Sequence, residues 1–147
     1  MKCYIDQSGK VENTSKLTVV AYANGKAKIL LISSKEKRKL ITILKRLDYP
    51  NKVYIYKIFA GLVFLLVRGE RPVEMVIDNE YPGYGPLIKD IVLKLYIRYK
   101  LEKPSIDFES IGKNNLAHKV AIEAYRGKTK ADLKVKAEDV LRLFYAK

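Results

Sequence analysis

"KLTVVAYANGKAKILLISS", residues 16–34, is the stretch on which the architecture turns. Its first half, residues 16–25, is rich in β-branched and aromatic residues and closes on Asn24-Gly25. Asn-Gly signals a two-residue hairpin, because both residues tolerate positive φ. The second half, residues 26–34, returns as another strand. Upstream, residues 2–6 are strand-like and end on Asp6. The spacing predicts three antiparallel strands in succession.

After the meander the period changes. Ser34 reads as the N-cap of a helix over "KEKRKLITILKRL". Leu40, Ile41, Leu44 and Leu47 make one apolar face. Lys35, Lys37, Arg38, Lys39, Lys45 and Arg46 make the charged, solvated one. Asp48-Tyr49-Pro50-Asn51 stops the helix. Residues 53–67, "VYIYKIFAGLVFLLV", are apolar enough for a buried helix or a buried strand, and periodicity does not separate these. "VEMVID", residues 73–78, is a strand that again ends on an acid, Asp78. The loop "EYPGYGP" follows, and Pro86 opens a helix whose apolar side carries Leu87, Ile88, Ile91, Val92, Leu95 and Tyr99. "SIDFESIG", residues 105–112, is a fifth strand. Helices are predicted over residues 114–126 and 132–145, the last with Leu133, Ala137, Val140, Leu141 and Phe144 on its apolar side. A meander followed by strand–helix crossovers gives an α/β fold: a mixed five-stranded sheet flanked by helices. No repeat, low-complexity stretch or linker divides residues 1–147, so one domain is expected.

The charge points to a partner class. Lys and Arg total 29 against 16 acids, a formal net charge of +13. A field of that sign attracts polyanions, nucleic acid first among them; a generic basic surface is the plainer reading. One cysteine, Cys3, excludes an intrachain disulfide, and with one histidine it excludes an ordinary zinc site. Cys3 itself reads as a buried thiol. Residues 53–67 contain Lys57 and fall short of the ~20 apolar residues of a membrane span. With no apolar leader after Lys2, a cytoplasmic protein is expected. Abundant Lys, Ile and Tyr with a single glutamine, Gln7, match a thermophile's composition.

Asp6 and Asp78 are the chemically suggestive residues. Ligands of open α/β sheets sit at strand ends where the topology changes. Two carboxylates side by side there repel one another, and a divalent cation keeps both ionised. Oxygen donors suit Mg2+ or Mn2+. Glu80 is close enough in sequence to join them. Taken singly, each acid is better explained as a strand-end carboxylate meeting water or a helix N-terminus. Other chemistries find no support: there is no phosphate-binding G-x-x-x-x-G-K-[ST], no G-x-G-x-x-G after a strand, and Ser8 lacks the flanks of a hydrolase nucleophile.

"IDQSGK", "VIDNEYPG" and "FESIGKNNLAHKVA" (residues 108–121), in this element order, resemble the ribonuclease H-like superfamily. The opening is similar to the Asp-Glu-Ser-Gly motif of one branch and the Asp-Glu-Ala-Gly motif of the type 2 ribonucleases H, with Gln7 standing where both carry Glu. The resemblance implies a metal-binding Asp6 on the first strand, Asp78 on the fourth, and a third ligand from a late helix. At that helical position this chain has His118, and some members of the superfamily use histidine there. It implies a nuclease hydrolysing phosphodiester bonds by a two-metal mechanism, with Asp6, Asp78, Glu80 and His118 as catalytic residues and Mg2+ or Mn2+ as cofactor.

The remaining residues have two readings each. His118 would share a helix face with Ile122 and Tyr125; it is either a packed residue with a hydrogen-bond partner or a ligand. Glu123 is explained by an i,i+4 pair with Lys119, and Glu36 by its place at a helix N-terminus. Lys113, Lys119, Arg126, Lys128 and Lys130 surround the site in sequence and could contact phosphates of RNA or DNA. Tyr81 and Tyr84 either stack on bases or pack their loop. The rival to a nuclease is a non-catalytic nucleic-acid-binding module on the same fold, which Gln7 and His118 favour. A basic structural subunit with no site would hold Asp6 and Asp78 far apart.

Overall fold

The β-branched run at residues 18–23 pairs on both sides, and this sets the sheet. In the computed structural model, which describes residues 2–50 and 52–145, β1 (Lys2–Ser8), β2 (Thr18–Ala23) and β3 (Ala27–Ile32) form the antiparallel meander. β4 (Glu74–Asp78) lies parallel to β1, and β5 (Ser105–Glu109) parallel to β4. A short β6 (Leu133–Val135) lies parallel to β3, giving the order β5-β4-β1-β2-β3-β6. The mixed α/β sheet flanked by helices is as expected, but among the described residues it has six strands rather than five. β6 falls inside the stretch expected to be helix, so Leu133 packs from a strand. Three residues are too few to show a period. What fixes them is Asp132, whose N–H and carboxylate bond the Ile29 carbonyl and N–H at 2.8 Å each.

Among the described residues, five helices cover the sheet. α1 (Ser34–Leu47), α2 (Tyr54–Val67), α3 (Gly85–Arg98) and α5 (Ala137–Tyr145) pack over one face, and α4 (Leu116–Tyr125) crosses β1–β3 on the other. The ambiguous apolar segment is helix α2, buried from Ile58 to Val67 between the sheet and α1, α3 and α5. Its surroundings on every side explain why it lacks an amphipathic period. No helix among the described residues is long and apolar enough to cross a membrane.

Several local expectations shift. The N-cap of α1 is Ser33, whose Oγ accepts the Glu36 N–H at 3.2 Å, not Ser34. Leu47 is 55% exposed, while Lys37, expected on the solvated face, is fully buried. The β2–β3 connection is three residues, Asn24 to Lys26, because Ala23 pairs with Ala27. Asn51, in the segment expected to stop α1, lies outside the described residues. Cys3 is buried as expected, and burial pushes its thiol up to about 12.

Candidate metal centre

Asp6 does not end its strand. β1 runs on to Ser8 against β2, where Asp6 pairs with Ala21. On the β4 side, however, pairing stops at Ile5 opposite Ile77. The next residues along are Asp6 and Asp78, so the parallel register carries both to the C-terminal edge of two adjacent strands, on the same face. β4 then turns at once. The Glu80 N–H bonds the Asp78 carbonyl at 2.8 Å, which folds the Glu80 side chain back toward its neighbour. Carboxylate oxygens of Asp6, Asp78 and Glu80 lie within 4.8 Å of one another, and this group could hold a metal ion. The wide separation of Asp6 and Asp78 that a site-free subunit requires is not found.

The turn after Asp6 depends on Gly9. Its φ is +79°, a left-handed value, and a Cβ there would come 2.4 Å from the Leu17 carbonyl and 2.5 Å from the Tyr125 ring. No other residue type fits. Beyond it, buried Lys37 reaches from α1 into the β1–β2 loop. Its ammonium donates to the carbonyls of Lys10 (3.1 Å) and Asn13 (2.6 Å) and to Thr18 Oγ1 (3.0 Å). These bonds hold the loop that adjoins the carboxylates.

Each acid has distinct surroundings. Asp6 is 2% exposed. Its Oδ1 accepts the Gln7 N–H at 2.8 Å, and its Oδ2 lies 2.8 Å from His118 Nδ1. Burial raises its carboxyl above the usual range; the Gln7 N–H and His118 pull against that, and Asp78 adds to it. Asp78 Oδ1 accepts the Ile111 N–H at 2.8 Å, which ties the β5–α4 loop to the site. The Glu80 carboxyl is pushed up to about 7 by burial, by its hydrogen bond to Asp78, and by the charges of Asp78 and Asp6; Lys10 opposes this. Three crowded carboxylates thus need either a proton or a cation near neutral pH.

His118 stands on α4 beside Asp6, 28% exposed at its side chain, and is not one of the three clustered acids. The sequence calls for a partner to this histidine without naming one, and Asp6 is the residue found there. Gln7 faces the opposite side of β1, where its Oε1 lies 3.2 Å from the buried Tyr81 hydroxyl. The Gln7 side chain therefore does not address the carboxylates, and only its backbone N–H does, at Asp6. Tyr81 is 7% exposed and packs against Phe59, while Tyr84 stacks on Tyr56 at 4.2 Å. Both tyrosines pack their loop. Glu36 Oε1 accepts the Ala137 N–H at 3.0 Å and so joins α1 to α5. Glu123 takes a hydrogen bond from the Thr129 hydroxyl. Lys113, Lys119, Arg126, Lys128 and Lys130 are exposed before, on and after α4.

Two neighbours escape the sequence reading. Lys10, four residues after Asp6, acts on Glu80 through its charge. Glu109 is paired with Asp78 in the β4–β5 register, so it shares that face outside the three-acid group. The alternation of "SIDFE", with Ile106 and Phe108 inward and Asp107 and Glu109 outward, is the signal that could have found it. No protein-family model matches the chain, and no curated protein matches it.

Proposed function

We propose that the chain is a metal-dependent nuclease of ribonuclease H-like fold, with Mg2+ or Mn2+ held by Asp6, Asp78 and Glu80. The observation that carries this reading is the meeting of three carboxylates at the adjoining edges of two parallel strands, in a chain of net charge +13. The donor set is all oxygen, as hard divalent ions prefer. The raised Glu80 carboxyl fits as well: burial and the neighbouring acids both disfavour its charge, and a bound cation would offset both. The strand order β5-β4-β1-β2-β3 keeps both aspartates at the centre of the sheet.

In this reading the bound ions supply an activated water and charge neutralisation at the leaving oxygen. The chain's residues do the rest. Asp6 is fixed by two hydrogen bonds, Asp78 by the Ile111 N–H, and Glu80 by the backbone turn. His118 holds the Asp6 carboxylate in place. Lys119 on α4, with Lys113 before the helix and Arg126 and Lys128 after it, binds the phosphates of a nucleic-acid strand without reading its bases.

One observation favours a binding module without catalysis: both Asp6 oxygens already have partners. Manganese titration of the wild type and Asp78→Asn, with binding and cleavage of labelled RNA and DNA followed together, separates the two. A nuclease loses manganese binding, and about a hundredfold or more in cleavage rate, in the variant. Nucleic-acid binding unchanged by manganese and by Asp78→Asn, with no cleavage, overturns the enzyme reading in favour of the module.

A further inference from the structure

The opposite ends of β4 and β5 carry the reverse charge. Residues 68–73 lead into β4 and residues 99–104 lead into β5. Between them lies a cavity of about 210 Å³ lined by Arg68, Arg71, Lys100, Lys103, Glu102 and Tyr96, among others. None of the four cations has a salt-bridge partner among the described residues. One competing account is that they serve two helix C-termini, because α2 and α3 both end here. Two such ends amount to about one negative charge. With Glu102 counted as well, an excess of about two positive charges remains.

Two further observations point to a ligand. Tyr96 is 1% exposed, its ring set edge-on to Phe64 at 5.1 Å, and its hydroxyl is buried with no hydrogen-bond partner. An unpaired buried hydroxyl is costly, and a bound acceptor would satisfy it. Arg71 and Lys100 also both have left-handed backbone, at φ of 48° and 56°. Lys100 occupies the helix-terminating position that glycine normally takes: its N–H bonds the Ile97 carbonyl, and the Leu101 N–H bonds the Tyr96 carbonyl. Long cationic side chains stand at two positions where the backbone prefers glycine.

We propose that this pocket binds a phosphate group. Arg68, Arg71, Lys100 and Lys103 supply the charge, and the Tyr96 hydroxyl supplies a directional hydrogen bond. The group belongs either to a free phosphate compound or to the backbone of a nucleic-acid strand. The site is a strand's length from the carboxylates, about 17 Å for five residues, and does not depend on them for its chemistry.

The test is calorimetric titration of inorganic pyrophosphate in EDTA, which keeps metal-mediated binding at the carboxylates out of the measurement. Wild type binds saturably at one site. Arg71→Gly with Lys100→Gly removes two charges while relaxing both strained positions, so the thermal midpoint holds or rises, and affinity falls about tenfold or more. Tyr96→Phe keeps the ring and lowers affinity several-fold. Asp78→Asn leaves pyrophosphate binding intact even if the nuclease reading fails. Displacement of pyrophosphate by a single-stranded oligonucleotide identifies a backbone site, and its persistence identifies a site for free phosphate compounds. Pyrophosphate binding that is absent from wild type, or equal in wild type and the double-glycine variant, overturns the proposal.

Discussion

Lys37 and the Asp6–Asp78–Glu80 group are both ionisable, the first fully and the second partly withdrawn from water, yet the fold treats them in opposite ways. The Lys37 ammonium has three donors and meets three acceptors. Burial lowers it only to about 8, so it keeps its charge at neutral pH. The three acids meet one another, and Glu80 is raised to about 7 by burial first and then by its hydrogen bond to Asp78 and the charges of Asp78 and Asp6. The difference separates a structural buried charge from a candidate site. A buried charge whose every proton is spoken for is part of the scaffold. A buried charge whose nearest neighbours share its sign is waiting for a cation or a proton.

The largest expected effect lies on the scaffold side. Lys37→Met keeps the volume but strands the Lys10 and Asn13 carbonyls and the Thr18 hydroxyl. Each lost bond at a buried partner costs about 1–3 kcal/mol. A total loss of roughly 2–4 kcal/mol is expected from urea unfolding, less than the sum because the loop carbonyls lie near the surface and can hydrate. A loss below about 0.5 kcal/mol would break the contrast, since surface substitutions cost that little.

A smaller effect, of opposite character, is expected at the acids. Glu80 titrates near 7 in the folded protein against its ordinary 4.5. The folded state therefore holds that proton more tightly than the unfolded one does. The associated stability is fully present below about 4.5 and is lost as pH rises through about 7. Because Glu80 is only half-buried, solvent screening leaves on the order of 1–2 kcal/mol. Glu80→Gln should flatten this fall, leaving the weaker slope of Asp6. A divalent cation should act in the opposite sense, stabilising wild type more at pH 8 than at pH 5, because it binds the carboxylate forms. Equal pH slopes in wild type and Glu80→Gln would remove the crowding on which the site is argued.

The two regions were also unequally legible in the sequence. Asp6 and Asp78 could be picked out because each follows a short apolar run, and strand–helix order brings such strands together in parallel. Their meeting depends on the register Ile5 opposite Ile77, which sequence does not specify; a slip of one residue would turn Asp78 to the other face. Lys37 could not be picked out, because it sits in a run of cations whose neighbours are all solvated. Its burial comes from the β1–β2 loop folding over α1, a tertiary event with no local pattern. His118 was legible as a residue needing a partner, but not as Asp6's partner in particular. β6 escaped notice because three residues at a sheet edge take their conformation from β3 and Asp132.

Thr18 offers the finest test of the comparison. It is fully buried on β2, paired with Ile32, and its Oγ1 is the one side-chain acceptor of the Lys37 ammonium among the described residues. Thr18→Val keeps the shape and the β-branch and removes only that acceptor. Two carbonyls remain to hold the ammonium, so the expected loss is about 1 kcal/mol, well below that of Lys37→Met. The loss should be the same at pH 5 and pH 7, because Lys37 stays charged across that range while Glu80 changes state. Measured beside Glu80→Gln by urea unfolding at both pH values, the pair of variants separates the two kinds of buried charge directly. A Thr18→Val effect that varied with pH between 5 and 7 would mean that the clamp and the acids titrate together, and the Lys37 loop would then belong to the site rather than to its scaffold.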